Sequence, residues 1–434
     1  MSALTKDLFV TWCALTRTTE RATRRRGARY FLPALFVDRF ANMGGIDKDL
    51  FAGQLDACRT FEDDGWVSYW RGLAQTHLDA ADAELASLGA PRVASILAAD
   101  GEATAPDVGA ALAPAVPVFA DRTPENGPAL FADFLAEHPE HRSAATAVDH
   151  LVKAMTYLFA ASWPGWSPAR LRAYDDSRRL LHVLLLGLAP AMNIHAERIE
   201  LNIAGEKAIA YGVFPDVDRP LPTVLVTNGL EGTIQEVLVP AARLRDRGMA
   251  MIAMEMPGTF QYRRPLSTDT DGMYDAVIEQ LAAHPRVDAE RLGMLGLSFG
   301  ALWSTRMAAR NRRLKAVVAN GGLYHRSFGP AALFGMPEIM VRTLKQTVGA
   351  TWLPDMGHKL DKLSVKKLYP TIPIPVLAIN GDHDTLASTR DTVDLAQGAP
   401  RGELLLYPDD DHCAMGHYTQ WLDHATDWLQ AHLA

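Results

Sequence analysis

The chain has 434 residues, 48% of them hydrophobic and 22% charged, with 32 Gly and 26 Pro. That length and mix describe a folded protein of two or three domains and exclude a peptide hormone, a collagen and a disordered chain. Its 43 basic and 51 acidic residues leave a net charge of −8, so no overall positive field gathers phosphate backbones or anionic lipid, and neither nucleic acid nor a membrane is expected as a partner.

The chain opens Met-Ser-Ala-Leu-Thr-Lys-Asp, without the basic segment and apolar core of an export signal, so a cytoplasmic location is expected. Cys13, Cys58 and Cys413 are scattered, with none of the paired spacing of a disulfide framework or zinc site, which fits a reducing compartment. Over residues 4–88 apolar side chains recur at threes and fours, the pattern of amphipathic helices. Trp66 and Trp70 stand one turn apart and read as a core stripe. Arg17, Arg21, Arg24, Arg25, Arg26 and Arg29 read as a solvated helix face.

Residues 98–128 turn to Ala, Gly and Pro, with Pro106, Pro114, Pro117, Pro124 and Pro128 breaking the pattern, and are expected to be loop or linker. Helical periodicity resumes over 129–162 and again over 168–188, after Trp163-Pro164-Gly165-Trp166. The most apolar stretch, 180–192, is too short to span a bilayer.

Near Ala196 the period changes to an extended one. Residues 198–203 alternate, turn at Ala204-Gly205-Glu206, and return over 208–214 as a hairpin. Short apolar runs then alternate with helical stretches: strands at 223–227, 250–255, 292–297, 316–319, 376–380 and 404–407, and helices at 235–247, 272–283, 299–310, 330–347, 388–397 and 418–433. Buried strands each followed by a helix indicate an α/β fold, a mainly parallel sheet covered on both faces. The chain accordingly divides into a helical part, residues 1–195, and an α/β part, residues 196–434.

The α/β part carries a chemical constellation. Gly296-Leu297-Ser298-Phe299-Gly300 lies where a β-run meets a helix, and glycines flanking the serine are what a sharp strand-to-helix turn needs to hold a hydroxyl at the sheet's edge. A serine nucleophile requires a base, and the base a third group to orient it. The 376–380 strand leads into Gly381-Asp382-His383-Asp384, and the last strand exits through Pro408-Asp409-Asp410-Asp411 into His412. Ser298, His412 as base and Asp384 as acid, with Asp382 in reserve, therefore stand at successive strand ends. Oxyanion donors are expected at the backbone N–H of Phe299 and, in the loop Asn228-Gly229-Leu230-Glu231-Gly232, of Leu230. The acidic clusters lack a helical His pair or a Cys partner, so no metal and no cofactor is expected. Cys413 reads as a small buried apolar residue.

The loop from Asn228 to Glu236, the strand end Met256-Pro257-Gly258-Thr259, the Gly-Leu-Ser-Phe-Gly turn, the Asn-Gly-Asp-His-Asp loop and the helical N-terminal segment together resemble the FrsA-like α/β hydrolases. That group includes 2,6-dihydropseudooxynicotine hydrolase and the fungal pigment hydrolases that shorten polyketide chains. The resemblance implies an α/β-hydrolase fold, a helical N-terminal cap over the sheet's carboxyl edge with an insertion near 98–128, a homodimer, and catalytic roles for Ser298, Asp384 and His412. It also implies carbon–carbon bond hydrolysis beside a ketone as an alternative to ester cleavage. Such a reaction needs a donor for the departing enolate, and substrate contacts are expected from Glu231, Tyr262, Tyr324 and His325, with Gln261 a further candidate. The expected function is a serine hydrolase acting on a small apolar carbonyl compound, in the form of a β-dicarbonyl or polyketide-like metabolite. The alternatives are a carboxylesterase or thioesterase, an acyltransferase or cyclase, and a non-catalytic binding protein on the same fold.

Overall fold

The computed structural model describes residues 3–434. Its sheet has eight strands: β1 (Ile194–Ile203), β2 (Glu206–Pro215), β3 (Leu221–Thr227), β4 (Ala250–Met254), β5 (Val287–Leu297), β6 (Leu314–Asn320), β7 (Val376–Gly381) and β8 (Gly402–Tyr407). Their order across the sheet is β1-β2-β4-β3-β5-β6-β7-β8. The β1–β2 hairpin and the β2–β4 pair are antiparallel, and all remaining pairs are parallel. Each strand lies where the apolar runs place it. β3 is buried at every residue of Leu-Pro-Thr-Val-Leu-Val-Thr, the signature of a strand covered on both faces. The hairpin is closed by Ala204 and Gly205, both at positive φ, the backbone of the two-residue turn that matches strand twist.

From β3 the chain moves to β4 on one side and then crosses to β5 on the other. Strand order thus reverses at β3, and in open α/β sheets the crevice beyond the carboxyl ends at such a point is where ligands bind.

The residues before the sheet are helical. The helix Asp63–Ser87 buries Trp66, Trp70, Ala74, Leu78, Ala81 and Leu85 along one stripe and packs on the helix Arg142–Ser162. Trp66 donates its indole N–H to the Ala160 carbonyl at 2.8 Å, and Trp70 stacks on Phe51, so both tryptophans belong to the core. The six arginines of 17–29 are exposed; Arg24 reaches Glu20 and Glu62 at 3.6 Å.

The stretch expected as loop is instead folded into the helices Ala105–Leu112 and Val116–Ala120, with 3₁₀ turns at Gly101–Thr104 and Ala113–Ala115. Pro106, Pro114 and Pro117 stand in the first turns of these pieces, where a missing N–H breaks no bond. The small residues serve close packing: a Cβ on Gly109 would lie 2.0 Å from the Gly187 carbonyl oxygen. Prolines at helix starts and glycines at a helix crossing mimic the composition of a loop. Two smaller differences lie nearer the site. The 330–347 stretch splits into a 3₁₀ turn, Pro330–Leu333, and a helix, Glu338–Thr347, and the helix Leu353–Asp361 had no counterpart in the periodicity.

Candidate active site

Ser298 occupies the turn between β5 and the helix Phe299–Arg310, at φ 55° and ψ −122°, a strained conformation for a residue with a side chain. The chain can take this turn only because its flanks are bare. A Cβ on Gly296 would sit 2.3 Å from the Gly300 carbonyl oxygen, and one on Gly300 would sit 2.4 Å from that of Thr227. The Ser298 N–H donates to the Asn320 carbonyl at 2.7 Å, tying the turn to β6 and leaving the hydroxyl at the point where strand order reverses.

The loops after β7 and β8 bring the other two groups to it. Ser298 Oγ lies 2.7 Å from His412 Nε2, and His412 Nδ1 lies 2.8 Å from Asp384 Oδ2. The Asp384 carboxylate also accepts from Asn380 Nδ2 at 2.8 Å and from the backbone N–H groups of Leu386 and Ala387 at 2.8 and 2.7 Å. Its side chain has no exposed surface. Burial works against a charge on His412, but the Asp384 carboxylate outweighs it and holds the imidazole well above its ordinary range.

Asp382, the reserve acid, pairs instead with exposed His383. The acidic run before His412 organises its own loop. Asp411 accepts from the N–H groups of Thr385 and His412, and Asp410 from those of Asp411, Gly416 and His417. These bonds hold Cys413 and Ala414 at positive φ, and Cys413 is buried against Gly321. Among the described residues no group of three or more His, Cys, Asp or Glu side chains is arranged to hold a metal ion.

The loop after β3 closes the other side. A Cβ on Gly229 would lie 2.6 Å from that of Ser298, so glycine lets this backbone lie directly against the serine. The N–H groups of Leu230 and Phe299 donate to no acceptor among the described residues, and both residues line the same cavity as Ser298 and His412. That cavity is a narrow cleft with about 80 Å³ of free space. Its walls are largely apolar, with Leu35 and Phe36 of the helix Leu35–Gly44 meeting Leu323, Met336, Met340 and Leu386 of the α/β part.

Glu231 lies in this wall, 5% exposed. Its Oε2 accepts the Trp163 indole N–H at 2.5 Å and stands 3.7 Å from Arg39 Nη1, while Oε1 has no hydrogen-bond partner among the described residues. Burial pushes this carboxyl up to about 7, with Arg39 acting the other way. Arg39 also forks Glu236, with Nε to Oε1 at 2.5 Å and Nη2 to Oε2 at 2.9 Å, and donates to the Glu231 carbonyl at 2.8 Å.

The structure does not bring every expected residue here. Tyr324 is wholly buried, edge-on to Tyr369 and outside the cavity wall. Tyr262 lines a neighbouring cleft with Trp166 and Phe260. Gln261 is held by Glu255 and the Ile209 backbone. His325 pairs with Ser364 Oγ at 3.0 Å and lines an adjoining cavity of about 700 Å³. Sequence reasoning in turn missed Arg39 and Trp163. The available signal for Arg39 was a lone cation on a helix between Phe36 and Phe40.

The family model for FrsA-like esterases matches residues 138–434. Esterase FrsA of Photobacterium profundum is 26% identical over 306 residues, covering 64% of this chain and 69% of that protein. The 2,6-dihydropseudooxynicotine hydrolase of Paenarthrobacter nicotinovorans is 27% identical over 247 residues, 56% of this chain and 66% of the relative. Among solved structures, 2,6-dihydroxy-pseudo-oxynicotine hydrolase superposes with a TM-score of 0.64 at 20% identity, over 92% of this chain and 95% of its own. AbyA5 superposes at 0.55 and 22% identity, over 69% and 88%. The likeness to these structures is one of fold, the α/β-hydrolase fold that the sequence led us to expect.

Proposed function

The chain belongs to the FrsA-like esterase family and is a hydrolase, and from that premise we propose that Ser298, His412 and Asp384 form its catalytic triad, acting on a small, largely apolar carbonyl compound. The observation that carries this reading is the unbroken hydrogen-bonded path from Ser298 Oγ through the imidazole to Asp384, at 2.7 and 2.8 Å. His412 Nε2 takes the hydroxyl proton as Oγ attacks the substrate carbonyl, and Asp384 holds the tautomer and stabilises the imidazolium that forms. The N–H groups of Leu230 and Phe299 receive the oxyanion. His412 then returns the proton to the leaving group, and water hydrolyses the acyl-serine by the same steps.

The apolar walls and the helical roof over the cavity support a compact substrate, and a β-dicarbonyl of polyketide-like character is the form we favour. The same triad serves an ester, a thioester or acyl transfer. A binding protein would have no use for the three groups in this register.

A fluorophosphonate probe is expected to label the wild type and to leave Ser298→Ala unlabelled. Ser298→Ala and His412→Ala should each lower kcat for a p-nitrophenyl ester by ~10³ or more in folded protein. Near-full turnover by Ser298→Ala would sink the reading.

A further inference from the structure

The free space beside Ser298 is divided in two. The cleft that holds the nucleophile offers about 80 Å³, room for a carbonyl and its nearest substituents and for little more. Against it lies a chamber of about 700 Å³, within the ~300–1,000 Å³ of ordinary small-molecule pockets. Phe299, Leu323, Met336 and Leu344 line both spaces, so the chamber begins one side chain away from the cleft. Met336 is unbranched and turns about three bonds, which makes this partition one that can give way.

The far wall of the chamber is the helix Leu353–Asp361, whose positions 353, 357 and 360 share one face and all border it. The middle position of that face is a glycine. Glycine weakens a helix interior, and no close crossing demands one here, since a Cβ on Gly357 would meet nothing within 4 Å. What the absent side chain leaves is open volume. Phe328, Met356 and Leu360 are buried in the chamber wall, whereas Arg326, His358, Asp361 and Lys366 are exposed and mark its mouth. The interior is therefore apolar and its polar groups stand at the rim.

His412 borders the cleft and not the chamber. A leaving group has to lie within reach of His412 to receive its proton, so it stays in the cleft and the chamber is left to the other arm of the carbonyl. We propose that the chamber is the acyl pocket of this hydrolase and takes a medium-length hydrocarbon chain, which runs from the carbonyl at Ser298 past Phe299 and Met336 and along the helix Leu353–Asp361. The assignment rests on the triad reading above and names its substrate class, carbonyl compounds with a long apolar acyl arm. Ser298 Oγ takes this acyl group as the leaving group departs with the His412 proton, and water frees it as a carboxylic acid.

The test uses the full chain and substrates kept below their micelle concentrations. For p-nitrophenyl esters kcat/KM should rise from acetate through butyrate to decanoate, by up to about fourfold for each methylene buried. Gly357→Trp fills the chamber, and should lower the ratio of decanoate to butyrate kcat/KM by about tenfold or more. Decyl butyrate carries the same chain on the leaving side, so its ratio to ethyl butyrate should be the same in Gly357→Trp as in the wild type. A general disturbance of the site would lower all the esters together and leave both ratios in place. No rise with acyl length in the wild type, a decanoate-to-butyrate ratio unmoved by Gly357→Trp, or a loss confined to decyl butyrate would each overturn the proposal. Failure of the triad reading would show separately, as ester turnover surviving in Ser298→Ala. If Gly357→Trp does not fold, Leu353→Trp on the same helix face is read in the same way, beside the wild-type length series.

Discussion

Two carboxyl groups flank Ser298 from opposite directions in strand order, and they are built by different means. Asp384, beyond β7, accepts four hydrogen bonds, from His412, Asn380, Leu386 and Ala387, and every donor comes from β7 or from the loops after β7 and β8. Glu231, beyond β3, receives one hydrogen bond from Trp163 and a share of Arg39, and both of those come from the helical part. The first group is a self-sufficient acceptor, and in the proposed triad it orients and charges an imidazole. The second owes its state to helices that have to dock before its surroundings exist.

The largest test of this contrast is Asp384→Asn. It should lower kcat by ~10³ or more, because the amide cannot hold the reactive tautomer. The pH profile supplies the sign. His412 must be unprotonated to act as base, so activity is lost as pH falls through its pKa, which Asp384 holds well above the ordinary range. With that charge gone, burial becomes the largest influence left and favours the neutral ring, so the acid limb of kcat/KM should move to lower pH. A limb that stays in place would break the comparison.

Gly229→Ala should have the next largest effect. The added methyl would lie 2.6 Å from the Ser298 Cβ, and a displacement of an ångström between nucleophile and oxyanion donors is enough to lower kcat/KM by ~10². Steady-state kinetics beside a thermal melt will show whether activity falls while the fold persists.

Arg39→Met should change turnover least and stability most. It leaves Glu236 buried without its fork, at a cost of ~3–5 kcal/mol in chemical denaturation. It also removes the cation that lowers the Glu231 pKa, so any pH dependence of turnover that Glu231 contributes should move to higher pH. A pH profile of turnover that does not move would mean that Arg39 serves packing alone.

Much of this was legible in the residues. All eight strands stood out: a strand buried on both faces must be a continuous apolar run, as in β3 and β7, and the half-exposed hairpin strand β1 shows itself by alternation. Ser298 was legible because its turn forces glycine on both flanks, and His412 and Asp384 because loops at strand ends are where side chains can converge. The stretch 98–128 was misread because proline at a helix start and glycine at a helix crossing share the composition of a loop. Tyr324 and Tyr262 were misplaced because a tyrosine in a loop near the sheet's carboxyl edge carries no mark of which way it faces.

By itself the sequence determined the order of strands and helices along the chain, the turn that exposes Ser298, and the residue types able to relay a proton. Those are local properties, set by backbone sterics and by the period of apolar side chains. Only the tertiary structure decided that Arg39 would divide its charge between Glu231 and Glu236, 192 and 197 positions away, and that Leu35 and Phe36 would roof the cavity. An amphipathic helix specifies that it must bury a face. What it buries that face against is decided by the shape of everything else that folds with it.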